Sequence, residues 1–504
     1  MARLLALHLL LLSGAAASVV MEPDASVVVT PRFWTKGKRA GDGDIVRCIF
    51  NFRAKPGALR RLERTLYDVS DPRSAGYGKF LSLAQVRERV GASDAAVETL
   101  TTFLAGFPSV QARVSDMGDK VHVAMPAPVA ERMLETEFYH YYTSSSSSSP
   151  AAATQRLLRV ARPYSLPAEV AAVVSLVDDI LRFPSVRAAP SSPPTSTAGA
   201  SAGLDPAWSS CGVTCTDKTT PDVLREAYGI QFPVQDVDPA DPGAAVAEFQ
   251  GEYWDAADLE HFGDACGVQV NVTTTIGGNN EQRCEVAGCG ESLLDLEYLG
   301  ALTFPLPLTT VYATEYSLQA WADQVASMDN ATRPLVQSVS YGNDEVQQTS
   351  AAYMEAVNQQ FMALGVLGVS VLFASGDQGV WGRTGKTTNG PYNPDFPSSS
   401  PYVTSVGGTN FKTTSVIGEE TTWNCGGGGF SGEFAVPSFQ ESEVTYYLKQ
   451  AGRENLLPDA AAFNASGRAY PDISALAGAT NGYCVSTHVS PANHKLWCTA
   501  VWEQ

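Results

Sequence analysis

Apolar positions along the chain fall into two regimes. Between about residues 44 and 142, Ile45 to Phe52 alternates as a strand does, and Leu59, Leu62 and Leu66 recur at helical spacing within a segment from Pro56 to Tyr67. Ser82 is placed to cap a helix through Val90, and Ser93 to open one that ends near Phe107. Val110 to Val114 and Val121 to Ala124 predict a hairpin around Met117-Gly118-Asp119, followed by a helix from Pro128 to Leu134 and a strand from Glu137 to Tyr142. Strand, helix, strand, strand, helix, strand is the order of a ferredoxin-like split βαβ unit. From Pro221 onward the pattern changes. Strands are expected at Ala244 to Phe249, Thr309 to Tyr312, Val336 to Tyr341 and Ser370 to Ala374, and helices at Trp254 to Phe262, Glu291 to Leu302, Tyr316 to Ala326 and Ala351 to Ala363. Such alternation predicts a parallel sheet with helices on both faces. Ligand and catalytic groups on that architecture gather beyond the carboxyl ends of the strands.

Local composition separates these regimes. Met1-Ala2-Arg3, the apolar run Leu4 to Leu12 and the small residues Ala15-Ala16-Ala17 form a secretory signal peptide, and no later segment is apolar for the roughly 18 residues that span a bilayer. Thr143 to Ala153, with its six consecutive serines, reads as a loop insertion, and Ala188 to Asp205, rich in Ser, Pro, Ala and Gly, as an interdomain linker open to processing proteases. Asn271, Asn330 and Asn464 begin sequons that the secretory pathway could glycosylate. A formal net charge of −19 argues against electrostatic binding of nucleic acid or an anionic membrane surface. Nine cysteines fit an oxidising compartment; Cys211 with Cys215 and Cys284 with Cys289 could close small loops, and no Cys/His spacing matches a zinc site.

The candidate chemistry is carboxylate chemistry. Glu291 and Asp295 lie four positions apart on one face of an otherwise apolar helix, a like-charge pairing that weakens an isolated helix. In a sheltered site two such groups split their pKa values and share a proton; on an open face they are merely solvated. Asp377 follows the apolar strand ending at Ala374, between Gly376 and Gly379, where it is either a turn or a site group. Gly426 to Gly429 suits a cleft wall or a plain flexible loop, and without a following Lys-Ser/Thr it is no phosphate loop. Beyond the linker only His261, His488 and His494 remain, none beside a nucleophile motif, so a Ser-His-Asp triad is unsupported and a carboxylate base takes its place.

These residues carry a resemblance. Val69-Ser70-Asp71-Pro72, Tyr77 to Leu81, Glu291 to Leu299, Val339 to Gly342, Phe373 to Gly379, Pro397 to Gly408, Gly427 to Ser431 and Phe463 to Asp472 together resemble the sedolisin family of serine-carboxyl peptidases, and within it the tripeptidyl-peptidase branch. The resemblance implies a subtilisin-like parallel α/β catalytic domain behind a ferredoxin-like α+β propeptide that inhibits it until acid activation. It divides the chain into a signal peptide at 1–17, a propeptide at 18–187, a linker and processing region at 188–210 and a peptidase domain at 211–504. It makes Glu291 the general base, Asp295 its proton-sharing partner and Asp377 the acid that stabilises the oxyanion. It also implies polypeptide substrates, cleaved as tripeptides from free N-termini, in a lysosome or other acidic vacuole or outside the cell.

Two departures qualify what the resemblance implies. The family's nucleophile lies in a Gly-Thr-Ser-x-Ser segment after the region matching Tyr483 to Trp497, and no Gly-Thr-Ser occurs here; the family's Ca2+-binding loop, expected further on, is absent as well. The expectation is a peptidase domain truncated before its nucleophile, with an inactive peptide-binding decoy as the alternative to an enzyme. In addition, the acidic residue that the tripeptidyl branch places directly after Ser-Tyr-Gly is Asn343 here, which leaves Asp344, with Gly427 and Gly428, as the substrate-binding candidates.

Overall fold

Both regimes fold as separate units that pack on each other. The computed structural model describes residues 17–23, 34–143, 156–184, 205–488 and 494–499, apart from 236, 239, 288, 349, 387–389 and 478–481. Nearly all of the signal peptide and serine-rich insertion, and residues 188–204 of the linker, lie outside the described residues.

The first unit contains β1 (Trp34–Arg39), β2 (Ile45–Phe52), α1 (Ala58–Ser70), α2 (Leu83–Val90), α3 (Asp94–Ala105), β3 (Gln111–Val114), β4 (Lys120–Pro126), α4 (Ala127–Leu134), β5 (Phe138–Thr143), β6 (Arg156–Val160) and β7 (Val174–Asp178). Ser82 starts α2 through a reciprocal capping box with Gln85, and Ser93 starts α3 by accepting from the Ala96 N–H. The antiparallel sheet β3-β4-β2-β7 has the ferredoxin-like order. Its last strand differs from the expected one. The segment read as the closing strand is β5, which instead joins a second sheet, β1-β5-β6, while β7 completes the first. Alternation alone cannot distinguish two strands of similar pattern; the buried Val174 and Val177 complete the core with Phe50 and Phe52.

The second unit follows as β8 (Ala244–Phe249), α5 (Ala256–Cys266), β9 (Val272–Ile276), α6 (Gly290–Thr303), β10 (Leu308–Ala313), α7 (Leu318–Ala326), β11 (Val336–Val339), β12 (Asn343–Asp344), α8 (Ala351–Val366), β13 (Ser370–Ala374), β14 (Asp395–Phe396), β15 (Thr404–Phe411), β16 (Glu420–Thr422), α9 (Glu441–Arg453), β17 (Ile473–Leu476), β18 (Tyr483–His488) and β19 (His494–Thr499). The large sheet runs β9-β10-β8-β11-β13-β15-β16, with β17 beside β15, and all its pairings are parallel except that of β16. The chain starts this sheet at its middle strand, β8, fills one side through β9 and β10, then crosses to β11, β13 and β15. The order therefore reverses beside β8 and β11, the place where such sheets gather ligand and catalytic groups beyond their carboxyl ends. One face packs on α7 and α8 through Trp321, Val357, Phe361 and Phe373; the other packs on α5 and α6 through Val246, Phe262, Leu293 and Leu296.

Cysteine pairing departs from one of the two small loops. Cys284 and Cys289 are bridged, but Cys211 pairs with Cys266 and Cys215 with Cys484. Cys211 and Cys215 are both buried in the core formed by α5, α6 and β18, where each meets a distant partner rather than the other.

Candidate active site

Helix α6 delivers the acid pair. Ser292, Leu293, Leu296 and Glu297 are buried, whereas Glu291 and Asp295 are half-buried on a shared face by their four-residue spacing. Ser340, next after β11, donates its hydroxyl to Asp295 Oδ2 at 2.8 Å, which ties the helix to a strand end at the reversal point. Neighbouring β13 ends at Ala374, and Asp377 follows three residues later, 8% exposed. Asp295, through Ser340, and Asp377 thus sit at the carboxyl ends of the neighbouring strands β11 and β13, with Glu291 one helical turn from Asp295. Glu248 is also buried at the carboxyl end of β8, on the face that Val246 presents to α6.

The loop bearing Asp377 is held by the glycine run. The Gly427 N–H donates to Gly376 O at 2.5 Å, and Ser375 Oγ donates to Gly427 O at 2.9 Å. A Cβ on Gly427 would lie 1.9 Å from Ser375 O, so this contact requires glycine. Gly428 lines a different space, a cavity of about 1290 Å3 bounded by Leu66, Tyr67, Phe80, Tyr447, Leu457 and Tyr470, and none of Glu291, Asp295 and Asp377 lines it.

Asp344 is fully buried. Its carboxylate accepts from the backbone N–H groups of Arg383 and Thr384 at 2.8 and 2.6 Å, which makes it an organiser of that loop. Across the β12–β14 pair it stands opposite Asp395, a carboxyl buried with Oδ2 3.8 Å from Arg383 Nε. Burial pushes Asp395 well above the usual carboxylate range; Arg383 opposes this, while Asp344, Asp377 and Glu345 reinforce it. Burial likewise raises Asp344, and raises Glu345 despite its bonds from Ser399, Ser431 and the Gly432 N–H. The sequence offered no signal for Asp395, and for Ser340 only its place in the Val339 to Gly342 segment and no role, because each acts through a partner distant in the chain. Glu248 left a faint one, a single carboxylate ending the apolar run Ala244-Ala245-Val246-Ala247.

Asn271, Asn330 and Asn464 are all exposed. The Asn464 Nδ2 group donates to Ser431 O at 2.9 Å, and Asn330 Oδ1 accepts from Arg333.

Comparisons with known proteins agree with this architecture. Residues 32–183 match the family model described as "Pro-kumamolisin, activation domain". Tripeptidyl-peptidase 1 of Rattus norvegicus is 31% identical over 500 residues, covering 97% of this chain and 82% of the relative. The Homo sapiens and Bos taurus proteins of the same name are 31% and 32% identical, with 82% of each covered. Among solved structures, Pseudomonas sedolisin, a serine-carboxyl proteinase complexed with pseudo-iodotyrostatin, is similar at 21% identity and a TM-score of 0.43, covering 56% of this chain and 76% of that one. The Ca2+ expected of such a family calls for converging oxygen ligands. Among the described residues the one group of three possible metal-binding side chains is Cys211, Cys266 and Cys484, whose sulfurs are in disulfides, so these residues do not fit the ion. With an activation domain at its N-terminal end and a parallel α/β unit behind it, the chain belongs to the sedolisin family of serine-carboxyl peptidases, alongside the tripeptidyl-peptidases 1.

Proposed function

We propose that this chain encodes an acid-activated serine-carboxyl peptidase that removes tripeptides from free N-termini of polypeptides, made as a secretory precursor for an acidic vacuole, a lysosome or the extracellular space. The observation that carries the reading is the pair Glu291 and Asp295, sheltered at the sheet's reversal point and anchored by Ser340, with Asp377 at the adjoining strand end. Glu291 takes the proton of an attacking serine hydroxyl. Asp295, fixed by Ser340, shares that proton, and protonated Asp377 donates a hydrogen bond to the oxyanion of the tetrahedral intermediate. Such chemistry favours acid, where a carboxyl still holds a proton.

The serine itself is the condition. No Gly-Thr-Ser occurs between Met1 and Gln504, so the peptidase reading requires such a segment, and the alternative reading is a peptide-binding decoy. Ca2+ belongs to the same condition, because the family places its binding loop beyond the nucleophile segment. The test is twofold. A chain extended through the nucleophile segment, brought to about pH 4 where free carboxylates half-protonate, should release tripeptides from an unblocked peptide and lose this on Glu291→Gln. Equal cleavage of N-terminally blocked peptides would replace the tripeptidyl preference by endopeptidase action, and activity surviving Glu291→Gln would overturn the assigned base. The 504-residue chain should bind such peptides without cutting them.

A further inference from the structure

Helix α6 carries a third carboxylate, Glu297, that the proposed chemistry does not use. It points away from the cleft, fully buried, and both of its oxygens accept the Ser486 N–H of β18, at 3.1 and 3.2 Å. The Ser486 hydroxyl donates to Asp258 Oδ1 at 3.2 Å and lies 3.0 Å from His261 Nδ1, both on α5. A hydroxyl between an imidazole and a carboxylate suggests a second catalytic centre, but Ser486 and Asp258 are fully buried and reach no substrate. The cluster instead joins three elements, and the Cys215–Cys484 bridge fixes β18 two residues away.

We propose that Glu297, Asp258, His261 and Ser486 form an acid-favoured latch that fastens β18, and with it the β18–β19 hairpin, to the helix bearing Glu291 and Asp295. In acid the Ser486 hydroxyl donates to Asp258 and meets His261 Nδ1, and a neutral Glu297 faces the Ser486 N–H without adding a buried charge. Toward neutrality an ionised Glu297 becomes a buried anion beside Asp258 on α5, with the buried carboxyl of Glu248 on β8 and that of Asp295 on α6 on the elements packed around it. Burial and Asp258 hold Glu297 in its protonated form, and the Ser486 N–H only partly opposes them.

The sign is explicit. A carboxyl raised on folding leaves stability intact below its free value, near ~4.3, and withdraws it as the pH climbs toward the folded value. Hydrogen exchange of the β18 amides in the disulfide-bonded chain, corrected for intrinsic rates and referenced to β2 and β4, reads the latch without any catalysis. Each unit of pKa displacement is about tenfold in the opening equilibrium, so from about pH 4.5 to 7.5 protection of β18 should fall at least tenfold. In Glu297→Gln, which keeps an acceptor for Ser486 N–H but cannot ionise, the fall should shrink to within about threefold. Asp258→Asn, which removes the neighbouring charge, should also reduce it. A flat wild-type profile, or an unchanged fall in both variants, overturns the latch.

Discussion

Replacing Asp323 by asparagine should loosen the first unit from the second. This carboxylate, on α7, is 3% exposed and meets three nitrogen groups from the first unit: His122 Nε2 at 2.8 Å, Arg113 Nη2 at 3.2 Å and Lys120 Nζ at 3.4 Å. Lys120 is fully buried and retains Asp119 and Gln360, each at 2.9 Å, so the substitution removes one of its two carboxylates. Breaking a buried pair costs about 3–5 kcal/mol, and with Asp119 retained the lower end applies. At about 1.4 kcal/mol per decade, ~3 kcal/mol weakens docking roughly a hundredfold. The pH dependence follows from direction. Burial works against ionisation of Asp323, yet His122, Lys120 and Arg113 outweigh it and hold the carboxyl far below the usual range. Its contribution is therefore present above the free value, near ~3.9, and is lost as the pH falls below that. After limited proteolysis within 188–210, size-exclusion chromatography across pH should show the wild-type units parting only in acid. Asp323→Asn should part them nearer neutrality, with the hundredfold affinity loss measurable at about pH 7. An affinity within about threefold of wild type, with the same parting pH, would refute the assignment of this contact as the principal ionic tie.

Three further outcomes follow from local geometry. Gly427→Ala sets a methyl against Ser375 O and should cost about 1–3 kcal/mol, read as a fall of several degrees in Tm; an unchanged Tm would show that the Asp377 loop yields freely. Asp395, raised by burial, should make the wild-type protein lose stability as the pH rises above about 3.9, and Asp395→Asn should flatten that part of the denaturant-midpoint profile, whereas parallel profiles would contradict it. Cys215–Cys484 spans 269 residues and Cys284–Cys289 only 5, so chain entropy assigns up to about 5 kcal/mol to the first and about 2 to the second; Cys484→Ser should therefore lower the urea midpoint far more than Cys284→Ser.

Local pattern sufficed where an element states its own geometry. Residues 290 to 303 announced both a helix and its paired carboxylates, Ser82 and Ser93 announced their caps, and Ser370 to Ala374 its strand, because spacing and capping act within a few residues. What failed to show were choices among equivalent partners. β5 and β7 have similar patterns, and only the filling of the Phe50 core sends β7 to the ferredoxin-like sheet. Asp344 looked like a cleft residue from its place after Ser340-Tyr341-Gly342, yet the turn at Arg383 and Thr384 folds over it and takes up both carboxylate oxygens. Asp395 gave no local sign, since its opposition to Asp344 exists only once β12 and β14 pair.

The carboxylates divide by how folding moves them, and the division bears on when the two units separate. Asp119 and Asp323, between the units, are held ionised by Lys120 and its neighbours against the opposing effect of burial; acid removes their contribution. Asp344, Glu345, Asp395 and Glu297, within the second unit, are raised by burial; acid relieves the cost of their charge. Falling pH therefore weakens the tie to the first unit while it stabilises the second. Asp178 belongs between these groups. Burial raises it although Arg182 opposes, and Gln319 Nε2 of α7 donates to it at 2.8 Å, so this edge of the interface tolerates acid better than the Asp323 edge. Separation should then begin at Asp323 and reach Arg182 last, where the guanidinium also holds Glu22 and donates to Gln348 O at 2.8 Å. An Arg182→Lys exchange, which cannot keep that fork of bonds, should speed the final release at low pH without moving the pH at which loosening starts.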